Sequence, residues 1–96
     1  MHGEYKMPGG KLVVADLEVH AGRLCRVQVS GDFFLEPDGA LRAINAALEG
    51  ASASTDEAGL AFAIQSALPA GVLMYGISPE AIAVAVRRAL HEGMQA

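Results

Sequence analysis

The residues best suited to chemistry in this chain lie in one turn, Pro8-Gly9-Gly10-Lys11. Successive glycines can aim backbone N–H groups at an anion, and a neighbouring lysine adds charge. A Walker-type phosphate loop needs a strand, then G-x-x-x-x-G-K-[ST], then a helix whose positive end faces the phosphates. Here Lys11 is followed by Leu12 and an alternating run, so that helix is missing. Two readings stand: the bend of a hairpin, or a turn that presents Lys6, Gly9, Gly10 and Lys11 to an anion or a partner. The second stretch of interest is Ser30-Gly31-Asp32-Phe33-Phe34. Adjacent aromatics in an extended chain point to opposite sides, so one can enter a core while the other needs a different cover. Gly31-Asp32 predicts a bulge or turn that re-aims the chain. The two rings either bridge a sheet and a helix layer or belong to an interface, where aromatics are enriched.

Other side chains offer less. His2, His20 and His91 are far apart and at no ligand spacing, so no metal site is expected. Cys25 is single, which excludes an intrachain disulfide, and its place in an apolar alternation predicts a buried thiol acting as a small hydrophobe. Asp16 and Glu18 read as a solvated strand face, and Asp56 and Glu57 as a helix start. No Ser–His–Asp or Cys–His set can be assembled, which makes the chain a poor independent enzyme. A net charge of −4, with seven scattered Lys and Arg, argues against a general nucleic-acid binder. The most apolar stretch, residues 60–77, is broken by Gln65, Pro69 and Gly71, so no membrane span is expected. The first residues lack a basic segment followed by an apolar run, and a reducing, cytoplasmic setting is the expectation. The mean hydropathy of +0.31 is high for a small soluble chain and suggests that some apolar surface faces a partner.

The elements that must position these residues follow from periodicity. Val13, Ala15, Leu17 and Val19 alternate with Asp16, Glu18 and His20, which predicts a half-buried strand. A short turn at Ala21-Gly22-Arg23 leads into a second alternating run, in which Cys25, Val27 and Val29 are expected to face inward. Residues 2–7 supply a third strand before the Pro-Gly-Gly turn. The period then changes to about 3.6. A helix starting at Pro37 places Leu41, Ile44 and Leu48 on one face and stops at Gly50. Ser54 and Glu57 form a capping-box pattern for a second helix with Leu60, Ile64 and Leu68 in a stripe, ended by Pro69 and Gly71. Residues 72–76 read as a short extended piece. Ser78-Pro79-Glu80 opens a third helix with Ile82, Ala85, Val86 and Ala89 inward and Gly93 at its end. The expected fold is α+β: a small antiparallel β-meander followed by about three α-helices packed on one face. One domain of residues 1–96 holds strands over about 3–35 and helices over about 37–93.

"YKMPGGKLV", "SGDFFLEP", "LRAINAALEG" and "YGISPEAIAVAVRRAL", in this order, resemble the C-terminal accessory domain of lipoate–protein ligases over roughly residues 3–91. The likeness is most specific at Pro8-Gly9-Gly10-Lys11 and Ser30-Gly31-Asp32-Phe33-Phe34, and least diagnostic over 51–70. In that family a large domain joins lipoate to ATP, giving lipoyl-AMP and pyrophosphate, and passes the lipoyl group to a lysine of an acceptor domain. The large domain's Arg-Arg-x-Gly-Gly-Gly-type loop and catalytic lysine are not identifiable here. The resemblance therefore implies the small subunit of a split ligase, paired as a heterodimer with a separate catalytic chain. It would carry no catalytic residue or cofactor of its own, with ATP, magnesium and lipoate bound in the complex. It implies that Lys6, Gly9, Gly10, Lys11, Asp32, Phe33 and Phe34 face the adenylate or the partner. Two further readings remain: a freestanding α+β interaction or small-ligand-binding module, and a degenerate nucleotide-binding enzyme.

Overall fold

The computed structural model describes residues 1–31, 33–36, 39–68, 71–75 and 77–95. Strands β1 (His2–Lys6), β2 (Leu12–His20) and β3 (Arg23–Gly31) form an antiparallel meander in sequence order. Two short strands, β4 (Phe34–Glu36) and β5 (Leu73–Tyr75), pair antiparallel as a separate two-stranded sheet. Helices α1 (Gly39–Leu48), α2 (Glu57–Ala67) and α3 (Pro79–Gln95) complete the α+β fold. The alternation of β2 works as its sequence demands: Val13, Ala15 and Leu17 are buried, while Asp16, Glu18 and His20 are exposed. Against this sheet lie α1, with Ile44 and Leu48, and α3, with Ile82, Ala85, Val86 and Ala89, while α2 packs on these two helices through Leu60 and Ile64; all eight residues are fully buried. α3 packs closely on β1, and Gly3 makes that possible. A Cβ at Gly3 would collide with the carbonyl oxygen of Ala85 and the amide nitrogen of Ala89.

The strand expectation fails at one place. Asp16 faces Gln28 but Glu18 faces Cys25, so β3 carries one extra residue, a bulge, with Arg26 at φ 53°. The extra residue reverses the facing of everything before it. Leu24 is buried in place of Cys25, which is half-buried. The preceding turn is a two-residue connection in which both Ala21 (φ 53°) and Gly22 (φ 76°) are left-handed, the pattern that matches strand twist.

Two helix details also differ from the sequence expectation. The cap of α2 is Asp56, whose Oδ1 accepts from the Gly59 amide at 2.8 Å. Ser54 instead pairs its hydroxyl with that of Ser52 at 2.8 Å, so the Ser54–Glu57 box does not form. Gly93 lies inside α3, which continues to Gln95. The residues between α1 and α2 are tied to α3, because Arg87 donates to the carbonyls of Ala53 (2.9 Å) and Thr55 (3.2 Å). Other expectations hold: Ser78 Oγ accepts from the Ala81 amide at 3.1 Å, and Gly50 is left-handed at φ 80° just past α1. Pro37 and Pro69 lie outside the described residues.

Both edges of the three-stranded sheet are covered by side chains. On the β3 side, Glu49 accepts from the amides of Arg26 (3.1 Å) and Val27 (2.5 Å), and Asn45 Oδ1 accepts from Val29 (3.0 Å). The amide of Leu24 donates to the carbonyl of Ala51 at 2.8 Å. On the β1 side, Arg88 donates to the carbonyl of Glu4 at 3.0 Å and lays its guanidinium over the Tyr5 ring, 5.0 Å from the centroid. Open edges invite another strand, and these contacts occupy four outward amides of β3 and the Glu4 carbonyl of β1.

Candidate functional site

The Pro-Gly-Gly turn joins β1 to β2. Met7 accepts from the Gly10 amide at 2.9 Å and donates its own amide to Lys11 at 3.4 Å, closing a tight bend. Proline at its second position and a left-handed Gly9 (φ 70°) at its third give the type II pattern. The Gly10 N–H is thereby committed within the turn, so no pair of free amides converges on an external anion. The hairpin reading of this segment describes its backbone. Charge is what the turn can still offer. The chain contains only two lysines, Lys6 and Lys11, and both are exposed at this end of the sheet. Lys6, Gly10, Lys11 and Leu12 line one shallow groove.

The sheet also brings Phe33 to this end. β3 pairs Gly31 opposite Val13, and a Cβ on Gly31 would strike the Leu12 carbonyl and stand 3.1 Å from Phe33 Cδ1. The Phe33 ring therefore lies beside Gly31 and Leu12, half-buried against the core. Lys6, Gly10, Lys11 and Phe33 thus share one end of the molecule. Asp32 lies outside the described residues; Phe34 sits in β4 with its backbone paired to Tyr75.

The arginines are mostly engaged elsewhere. Arg23 donates to the Gly50 carbonyl, Arg26 pairs with Glu18 at 3.2 Å, and Arg87 and Arg88 hold the contacts given above. Among the described residues, the side chains of Lys6 and Lys11 have no intrachain partner, in a chain of net charge −4. Two ammonium groups lining one groove attract phosphate or carboxylate. No group of three or more His, Cys, Asp or Glu among the described residues could hold a metal ion.

A different charged cluster sits at the other end of β1. His2 lies between Asp16 (Nδ1 to Oδ1, 2.7 Å) and Glu4 (Nε2 to Oε2, 2.6 Å). The hydrogen bond to Glu4, followed by that to Asp16, raises the imidazole pKa to about 8. This clasp joins β1 to β2 at the surface.

Periodicity also passed over Phe62, which is 74% exposed on α2. It stands two positions from buried Leu60, so it cannot share the buried stripe of Leu60 and Ile64. A large apolar residue off the stripe is a signal available in the sequence alone.

Among the described residues, no helix is long and apolar enough to cross a membrane. No protein-family model matches the chain, and no curated protein matches it. Among solved structures, one chain of an archaeal lipoylation system from Thermoplasma acidophilum shares the fold with a TM-score of 0.66. That structure contains a bipartite lipoate protein ligase and its E2 lipoyl domain. The match covers 91% of this chain and 98% of the other, at 24% identity. At that identity the likeness is one of fold.

Proposed function

We propose that the chain is the small subunit of a split lipoate–protein ligase, acting with a separate catalytic chain in the ATP-dependent activation of lipoate. The observation that supports this reading is the fold shared along nearly the whole of both chains with one chain of a lipoylation system made of a bipartite lipoate protein ligase and its E2 lipoyl domain. The sequence motifs at the Pro-Gly-Gly turn and at the Phe33 corner point the same way.

The chemistry explains what such a subunit would contribute. In the first step a lipoate carboxylate oxygen attacks the α-phosphorus of ATP, and pyrophosphate leaves. The product is a mixed anhydride that water destroys, so a closed, dry pocket favours its survival. In the second step the amine of an acceptor lysine attacks the acyl carbon and AMP leaves, which requires the pocket to open to another protein. A small domain that covers the catalytic chain during the first step and moves for the second meets both demands. It needs no nucleophile. Its contribution is a surface and positive charge, and Lys6 and Lys11 supply the charge beside the half-buried Phe33. ATP, magnesium and lipoate belong to the complex rather than to this chain, and the acceptor is a lipoyl domain met by the heterodimer.

Two experiments test the reading. Recovered from its native cells, the chain should carry with it a ligase catalytic chain that lacks a small domain of its own. Recovery without such a partner would favour a freestanding binding module. In the reconstituted pair, Lys11→Ala should slow pyrophosphate release by about tenfold, a loss of roughly 1.4 kcal/mol at the transition state. Transfer from preformed lipoyl-AMP should change much less. Equal losses in both steps would limit the lysine to folding or docking.

A further inference from the structure

We propose that the outer face of α2 and α3, centred on Phe62, docks a cationic amphipathic segment of the catalytic chain. The inference rests on the function proposed above. α2 is apolar on more than one side: Leu60 and Ile64 face the core, while Phe62 is 74% exposed. Ala58 and Phe62 are four residues apart and share a helix face. Beside them a groove of about 270 Å³ runs between α2 and α3, lined by Ala58, Ala61 and Val84 and flanked by Glu57 and Glu80. The floor is thus apolar and the rim acidic.

That combination selects the occupant. An exposed phenylalanine next to a groove of small side chains supplies the aromatic anchor typical of binding hot spots. Neither Glu57 nor Glu80 has a side-chain partner within the chain among the described residues. A segment with apolar side chains between lysines or arginines would fill the groove and neutralise both carboxylates. A second copy of this chain fits badly, because a two-fold contact would bring four carboxylates into one interface. Strand addition is disfavoured as well, since Glu49, Asn45 and Arg88 occupy the sheet edges. Docking by this face would leave Lys6 and Lys11, at the end of the β1–β2 hairpin, outside the anchoring contact.

The test measures affinity between the full chain and the catalytic chain by calorimetry. Phe62→Ser should weaken the complex by about tenfold or more, as hot-spot truncation does. It should leave the circular dichroism spectrum unchanged, because the ring is exposed in the free chain. Glu57→Gln with Glu80→Gln should weaken association and reduce its dependence on salt. Lys11→Ala should leave affinity unchanged. A complex insensitive to Phe62→Ser overturns the docking face while leaving the proposed function standing. Self-association of the chain abolished by Phe62→Ser overturns the choice of occupant. No complex with the wild-type chain overturns the function and this inference together.

Discussion

Single residues set two measurable properties of the molecule. Gly3 lies where β1 passes over α3, and a methyl group there would meet backbone atoms of Ala85 and Ala89, which cannot swing aside as a flexible side chain can. Gly3→Ala should therefore cost about 3 kcal/mol, the upper end of the range for an overpacked core, measured as a fall in the denaturation midpoint. His2 acts at the surface of the same strand. Its pKa is raised in the folded chain from 6.5 to about 8, so its clasp with Glu4 and Asp16 stabilises fully below about pH 6.5 and is lost as pH rises through about 8. The protection factors of the β1 amides, exchange corrected for its intrinsic rise with pH, should fall across that window, and His2→Ala should remove that fall. The residue that the sequence hid was Arg26. A left-handed non-glycine residue carries no composition signal, yet its bulge decided that Leu24, not Cys25, enters the core. Val13, Ala15 and Leu17 were legible because strict alternation on a half-buried strand leaves one choice of register.

At the scale of elements, α1 does more than bury Ile44 and Leu48. Its last turn and the residue after it close the β3 edge with Asn45 and Glu49. Glu49→Ala would leave the part-buried Val27 amide without its acceptor, at a cost of about 1–3 kcal/mol, while Glu49→Gln retains an acceptor and should lose less. Chemical denaturation of the two variants separates these outcomes; equal stabilities would show that the edge bonds contribute little. Helix positions and buried stripes were readable from apolar spacing, because the 3.6-residue period extends over ten residues or more in each helix. The β4–β5 pair was not, since three residues are too few to display a period and the pairing joins segments far apart in sequence. The α2 cap was misplaced by two residues for a related reason: Ser54, Thr55 and Asp56 are all capping types, and only the three-dimensional path of the chain selects Asp56.

At the scale of the whole molecule, charge and apolar surface are separated. The lysines and Phe33 occupy one end of the sheet, Phe62 and its acidic-rimmed groove lie on the outer helices, and both sheet edges are capped. Such an object is suited to binding through faces. The sequence motifs identified the lysine turn as a site worth testing, but its backbone geometry changes the physical reason: the Gly10 amide closes the bend, and the side chains carry the positive charge. Phe62 lies off the buried stripe of Leu60 and Ile64, so helical periodicity alone gives it no place. Under the proposed function these surfaces divide the work, with the helices holding the catalytic chain and the hairpin end approaching its nucleotide.

The central claim, that this polypeptide completes a reaction whose reacting groups lie on another, is tested most directly by pyrophosphate release from ATP and lipoate in three preparations. The chain alone and the catalytic chain alone should each be inactive, and their mixture should release pyrophosphate. Release by the chain alone, or a mixture no more active than its parts, would contradict the account.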